Sequence, residues 1–390
     1  MELTNKQEQG LKIAIQRYND HEKYTVISGY AGSGKSTLVR YIVSALDVDE
    51  EDVIYATFTG KAAQVLLKKG NQNVTTLHKL LYKHIPLTNG GFKRIRKNCI
   101  EYKIVIVDEV SMAPKSLMDV LFSHQNVYVI CLGDPFQLPP VDKNEDNHLL
   151  DKPHIFLDEI MRQAAESEII RLSMKIRNFE LFTNFRGNEV QVLNKAELST
   201  GMLTWADQIL VGTNKTRVAI NNEMRALLGR GENPEDGDKI ICLRNYWDTF
   251  SNEENPLVNG TIGYIQNSFN TFRVFPKYLY PNQIFILQGN FISDSGDTYE
   301  GLEMDKYMIL TGEQCVDWKT AVQIRSSKKY RDALPMEFTY GYAITTHKAQ
   351  GSEWDKVLII EERFPFDEVE HARWLYTAVT RSAQKLVLVR

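Results

Sequence analysis

The sequence predicts an α/β protein built on doubly wound parallel sheets, with a β-rich insertion. Three observations predict it. Short, fully apolar runs such as Ile104–Val107 (IVIV) alternate with helical patterns, as strands buried on both faces of a parallel sheet do. The rhythm occupies the first 135 residues and returns at residues 208–213. Between them and the C-terminus, residues 229–334 change to β-rich runs broken by Gly, Asn and Pro.

In chain order, residues 24–28 (YTVIS) read as a strand, followed by a glycine turn and an amphipathic helix over 35–46. Residues 47–52 are an acidic loop, 53–58 a strand, and 60–69 a helix stopped by Gly70. Residues 82–97 (YKHIPLTNGGFKRIRK) interrupt the pattern. Asn89-Gly90-Gly91 is a hairpin turn signal there, and Lys83, Lys93, Arg94, Arg96 and Lys97 make the hairpin basic. The strands 104–107 and 127–132 follow. The second α/β region has a strand at 208–213, a helix at 215–228, and strands at 338–344, 356–360 and 386–390. The helix before the last strand spans 371–382. A compact β-barrel inserted at 229–334 accounts for the runs DKIICLRN, VNGTIGYI, FRVFP and QIFIL better than a long loop does.

Composition excludes several classes. Lys+Arg of 46 against Asp+Glu of 50 gives a formal charge of −4, which rules out a uniformly basic nucleic-acid coat but not a basic groove. The four cysteines are scattered and form no C-x-x-C pair, so neither a disulfide scaffold nor a zinc ribbon is expected. No uncharged apolar run reaches the roughly 18 residues of a membrane span, and the N-terminus has no signal core. A soluble intracellular protein, placed in the cytoplasm and with no membrane contact, is expected.

Gly29-Tyr30-Ala31-Gly32-Ser33-Gly34-Lys35-Ser36 matches G-x-x-x-x-G-K-[ST] between a strand and a helix. Such a loop turns backbone N–H groups of Gly32, Ser33, Gly34 and the first helical residues, Lys35 to Thr37, toward phosphate oxygens. Lys35 then reaches the β- and γ-phosphates, and the Ser36 hydroxyl ligates Mg²⁺. The strand 104–107 delivers Asp108-Glu109 at its C-terminal end, where ligands bind in open α/β sheets. Asp108 suits the Mg²⁺ water shell, and Glu109 suits a general base for the attacking water. ATP and Mg²⁺ are the implied cofactors. After the next strand, Gly133-Asp134-Pro135-Phe136-Gln137 places Gln137 to sense a γ-phosphate, and two prolines stiffen the connection onward.

Read in order, these segments resemble the superfamily 1 helicases of the 5′→3′ branch, of RecD and phage Dda type. Leu3-Thr4 with Gln7 resembles the Q-motif that reads adenine. Residues 29–36 resemble motif I, 56–63 (ATFTGKAA) motif Ia, 108–112 (DEVSM) motif II and 133–141 motif III. Residues 75–78 (TTLH) resemble a DNA-contacting motif, 157–163 (LDEIMRQ) motif IV, and 213–217 (TNKTR) the segment after it. Residues 345–353 (TTHKAQGSE) resemble motif V and 375–381 (LYTAVTR) motif VI.

The resemblance implies two RecA-like P-loop NTPase domains, with a β-hairpin insert in the first and an SH3-like β-barrel insert in the second. The implied division is 1–155 with the hairpin at 82–103, 156–228 plus 335–390, and the insert at 229–334. It implies that Arg162 and Arg381 reach across to the phosphates and that Glu353 contacts the ribose. It further implies a single-strand track lined by Thr59, Lys61, Thr76 and His78 and by Asn214, Thr345, His347 and Lys348. The hairpin would stand as a pin at the fork, with Phe92 stacking on a base. The expected activity is ATP-driven 5′→3′ translocation on single-stranded DNA with unwinding of the duplex ahead. A monomer is expected, with a single-strand-binding protein as a further partner. Pif-type and Upf-type (RNA) helicases, and an ATP-dependent nucleic-acid switch that does not unwind, stay open as alternatives.

Overall fold

The structure, a computed structural model, describes residues 3–86, 92–140, 143–246, 257–326, 330, 333–363 and 367–390, with backbone only at 84–86, 92–94, 143, 162–163 and 325–326. The chain falls into two compact units, Met1–Lys83, Ile95–Leu210 and Ala349–Arg390 in one, and His84–Arg94 with Val211–Lys348 in the other.

The first unit holds two parallel sheets. In the first, the order is Val74–Thr76, Val53–Thr57, Ile104–Val107, Tyr128–Gly133, Tyr24–Gly29, Ile155–Leu157, every neighbour parallel. The apolar runs make this possible: Ile104, Val105, Ile106 and Val107 are all fully buried. Alternate residues feed two cores, Val105 and Val107 packing with Leu77 and Met118, and Ile104 and Ile106 with Leu38 and Ile42. In the second sheet the strands Gln208–Val211, Trp354–Ile360, Ser382–Val389 and Val190–Leu193 are parallel, and Phe185–Arg186 closes the edge antiparallel. The mixed α/β architecture with parallel sheets therefore matches the expectation. Helices begin at local capping signals. Asn5–Asn19 begins with a capping box of Thr4 and Gln7, and Gly60–Lys68 is capped by Thr59.

The second unit is dominated by a five-stranded antiparallel sheet in the order Thr298–Asp305, Gln283–Ser293, Ile262–Val274, Lys239–Cys242, Phe338–Tyr340. Two readings need correction here. The runs GTIGYI and FRV are not separate strands but one, the 13-residue Ile262–Val274. A bulge at Gln266/Phe269 joins them, with Asn267 at φ 53° and Asp236 accepting from the Asn267 and Ser268 amides. Nor is 338–344 one strand of a parallel sheet. Phe338–Tyr340 pairs antiparallel with Lys239–Cys242, and the chain breaks at Gly341 before the separate strand Ala343–Thr345. A Cβ at Gly341 would lie 3.0 Å from the Ile240 carbonyl carbon, so the close approach to the neighbouring backbone fixes that break. Two helices, Lys306–Thr311 and Trp318–Ser326, also occupy the region expected to be all β.

Tyr82–Pro86 and Phe92–Arg96 form a two-stranded sheet. Its Asn89-Gly90-Gly91 turn lies outside the described residues. The acidic loop contains a 3₁₀ turn at Glu50–Asp52, and the helix expected at 371–382 runs instead over Glu368–Val379. Thr380 caps it, so Arg381 sits past the helix end rather than on it.

Candidate nucleotide site

The phosphate loop leaves the first sheet at Gly29 and enters the helix Lys35–Ala45 through Gly34 at φ 80°. A side chain at Gly34 would be strained, and its Cβ would lie 2.4 Å from Gln7 Nε2. The loop is closed by the Ser33 amide on the Tyr30 carbonyl (3.2 Å) and the Met161 amide on the Gly32 carbonyl (2.9 Å). Lys35 Nζ donates to the Gly29 carbonyl at 2.7 Å and the Tyr30 carbonyl at 3.1 Å. The ammonium thus rests on oxygens within the loop. Lys35, Ser36 and Gly32 line a cleft of about 440 Å³.

Asp108, Glu109, Asp134 and Gln137 line the same cleft from the C-terminal ends of the adjacent strands Ile104–Val107 and Tyr128–Gly133. Glu109 has φ 52°, a conformation costly for a residue with a side chain, and it turns the chain away from the strand. Asp108 accepts from the Glu109 amide at 2.9 Å. Burial, and next the charge of Glu109, raise the Asp108 carboxyl to about 6. A buried carboxylate beside a hydroxyl and a lysine fits a divalent cation held through its water shell and by phosphate oxygens. Among the described residues there is no group of three His, Cys, Asp or Glu side chains to cage a metal by themselves.

Facing them, the second sheet offers residues at the N-terminal ends of its strands Trp354–Ile360 and Ser382–Val389: Gly351, Ser352, Glu353, Thr380 and Arg381. Arg381 is 5% exposed. Its guanidinium donates to the Thr377 carbonyl (3.1 Å), the Ser352 carbonyl (3.3 Å) and Thr380 Oγ1 (3.3 Å). Arg381 Nη1 is also 3.9 Å from Glu109 Oε1. With its side-chain amide turned so that donors meet acceptors, Gln137 bridges the two: the nitrogen donates to Glu109 Oε2 at 3.0 Å and the oxygen accepts from Arg381 Nη2 at 3.2 Å. Glu109, Gln137 and Arg381 form one chain of contacts across the cleft.

Sequence reasoning missed a second set of contacts. Tyr376 is 1% exposed, its hydroxyl accepting from the Ala31 amide (2.9 Å) and donating to Asp134 Oδ2 (2.5 Å). Burial and the neighbouring Asp134 charge hold the phenol protonated, well above its usual range. Thr377 Oγ1 accepts from the Leu138 amide at 3.0 Å, and Gln350 Nε2 donates to the Leu138 carbonyl at 2.8 Å. Arg177 lies 3.6 Å over the Tyr30 ring. The helical i,i+4 spacing of Thr377 with Arg381 was the available signal that both face the same partner.

Comparisons with known proteins follow this geometry. A family described as "AAA domain" matches residues 2–185, and one described as "UvrD-like helicase C-terminal domain" matches residues 340–389. The ATP-dependent RecD2 DNA helicase of Deinococcus radiodurans is 25% identical over 393 residues, covering 93% of this chain and 46% of the relative. The ATP-dependent DNA helicase Dda of Enterobacteria phage T4 is 30% identical over 191 residues, covering 45% of this chain and 43% of the relative. The chain is thus similar to ATP-dependent DNA helicases, RecD2 along most of its length and Dda along part of it. It spans less than half the length of these relatives. A crystal structure of Pif1 helicase from Bacteroides in complex with ADP-AlF3 and ssDNA shares the fold, with a TM-score of 0.54 and 17% identity over 100% of this chain and 92% of that one.

The structure brings Gly32, Lys35, Ser36, Asp108, Glu109, Gln137, Glu353 and Arg381 to one cleft. Glu353 Oε2 is ion-paired to Lys69 at 3.0 Å. Gln7 and Ser33 are buried, at 1% and 2% exposure, and Thr37 is a partly buried helix residue. The Gln7 amide accepts from the Thr4 N–H (3.0 Å) and donates to the Gly34 carbonyl (3.4 Å), which braces the phosphate loop from behind. Arg162 opens the helix Arg162–Ala165, and Phe92 opens a strand; the side chains of both lie outside the described residues.

In the first unit, Thr59 and Thr76 cap helices by accepting from the Ala62 and Lys79 amides, Lys61 is half-buried, and His78 packs 5.8 Å from the Phe58 ring. In the second unit, Asn214 is exposed at the start of the helix Asn214–Leu227, and Thr345 ends the strand Ala343–Thr345. His347 and Lys348 lie in the helix Thr346–Ala349. Burial holds the His347 imidazole below its usual range, and Lys348 Nζ donates to Asn259 at 3.0 Å. No helix of the described residues is long and apolar enough to cross a membrane.

Proposed function

We propose that this chain is an ATP-driven DNA helicase, moving 5′→3′ along single-stranded DNA and unwinding the duplex ahead of it. The observation that carries the reading is Arg381, 3.9 Å from Glu109 and bonded to Gln137 across the phosphate-loop cleft. An arginine brought from a second α/β lobe onto the hydrolytic carboxylate of the first is the arrangement a nucleotide-driven motor needs, because phosphate charge can then draw the lobes together.

In the reaction, the loop amides and Lys35 hold the β- and γ-phosphates. Glu109 takes the proton of the water that attacks the γ-phosphorus, while ADP departs. Arg381 offsets charge on the transferred group, and Gln137 links its position to that of Glu109. Ser36 and Asp108 would hold a magnesium ion, which would supply positive charge against the phosphate oxygens. Glu353 meets the ribose, exchanging its ion pair with Lys69, and Gln7 bears on nucleotide binding through Gly34. Arg162 is a second phosphate-facing cation.

The wider assignments are part of the same reading. Residues 1–155 with the hairpin at 82–103, and 156–228 with 335–390, are taken as the two RecA-like domains, and 229–334 as the SH3-like insert. The antiparallel order of the five-stranded sheet supports the insert assignment. Thr59, Lys61, Thr76 and His78, and Asn214, Thr345, His347 and Lys348, are assigned to backbone contacts with the strand, and Phe92 to stacking at the fork. Strand displacement with 5′-tailed and 3′-tailed duplexes tests the whole. Unwinding of the 5′-tailed DNA is expected; unwinding only from a 3′ tail refutes the polarity. RNA tails that support equal unwinding favour the Upf-type branch.

A further inference from the structure

The helix Glu368–Val379 touches the first lobe at two places that the hydrolytic contacts do not require. Its Tyr376 hydroxyl stands between the Ala31 amide of the phosphate loop (2.9 Å) and Asp134 (2.5 Å), and both Tyr376 and Asp134 are 1% exposed. Packing accounts for the ring alone, which meets Phe136 edge-on at 5.3 Å. The hydroxyl has a separate pair of partners.

The segment from Tyr376 to Arg381 has no slack. Thr377 accepts from the Leu138 amide, Thr380 Oγ1 donates to the Tyr376 carbonyl (3.0 Å), the Arg381 amide donates to the Ala378 carbonyl (3.1 Å), and Arg381 Nε to the Thr377 carbonyl (3.1 Å). A shift at Tyr376 is therefore handed on to the guanidinium.

We propose that the Tyr376 hydroxyl is a positioning group for phosphoryl transfer: by bonding Ala31 and Asp134 together it sets the register in which the same segment presents Arg381 to Glu109 and Gln137. The proposal rests on the reading of Arg381 as the phosphate-facing arginine. It gives the loop position occupied by Ala31 a task distinct from the phosphate-binding amides, since its N–H points to the second lobe.

The test is a double-mutant cycle in single-strand-stimulated ATPase on the full chain, with Tyr376→Phe, Arg381→Ala and the pair. Tyr376→Phe is expected to lower kcat about 100-fold, the scale of a small misplacement of reacting groups, with KM for ATP changed less than about threefold. In the Arg381→Ala background the same change should cost less than about threefold, because the group being positioned is gone. Thermal melting and binding of a fluorescent ATP analogue check that each variant is folded. Equal losses in both backgrounds, or wild-type kcat in Tyr376→Phe, overturn the proposal. Wild-type turnover in Arg381→Ala instead overturns the reading on which it rests. If Tyr376→Phe does not fold, Asp134→Asn replaces it in the cycle, with the same non-additivity expected and additivity counting as refutation.

Discussion

Replacement of Arg381 by alanine puts a number on the proposed engine. An arginine supplied to a transferring phosphoryl group is worth about 10³–10⁵ in kcat. At about 1.36 kcal/mol per factor of ten, that is about 4–7 kcal/mol of transition-state stabilisation. The geometry says where the loss falls. Three of the guanidinium's donors hold the Thr377 and Ser352 carbonyls and Thr380 Oγ1, and the approach to Glu109 is a long 3.9 Å. A group that acts on charge developing in the transferred phosphoryl should move kcat far more than KM when removed. Lost hydrogen bonds at a buried site cost about 1–3 kcal/mol, too little to unfold a domain of this size. Arg381→Lys keeps the charge but not the planar fork that meets Ser352, Gln137 and Glu109 together, and should recover less than about tenfold. Steady-state ATPase with saturating single-stranded DNA measures both variants. Turnover within tenfold of wild type in Arg381→Ala refutes the role.

Other outcomes follow from the same geometry. Lys35→Ala should abolish turnover, and Glu109→Gln should stop hydrolysis while retaining binding of a fluorescent ATP analogue; lost binding in the latter would reassign the carboxylates. Gly351→Ala should slow turnover, since Gly351 has φ 72° and its Cβ would lie 2.8 Å from the Ala62 Cβ across the cleft. A wild-type rate there would mean the cleft wall yields. Affinity for single-stranded DNA, followed by fluorescence anisotropy, should weaken as salt rises because phosphate contacts release counterions; a flat response contradicts a backbone grip.

The elements that carry the site were legible because their signals are local. A glycine loop between a strand and a helix, and two acids at the end of an apolar strand, are written in consecutive residues. The role proposed for Arg381 comes from the resemblance alone, and its place beyond the helix cap is not legible in the sequence. Tyr376 escaped because its partners Ala31 and Asp134 are 345 and 242 residues away, and a buried tyrosine in a helix looks like core. Gln7 reads as a ligand-facing amide in sequence, yet the capping box and the Gly34 carbonyl take up its side chain. The long strand Ile262–Val274 was split in the reading because Asn267-Ser268 resembles a turn, whereas Asp236 supplies partners for the exposed amides and lets the strand continue.

The peptide unit at Leu138 has a consequence for how this unit melts. Its N–H and its C=O are both satisfied by side chains of the other α/β half, Thr377 and Gln350, in a place sealed from solvent. Separating the halves would give up both of these bonds, and those of the Tyr376 hydroxyl, at once. Neither sheet can therefore come apart much before its companion, and calorimetry should register the pair as a single cooperative endotherm.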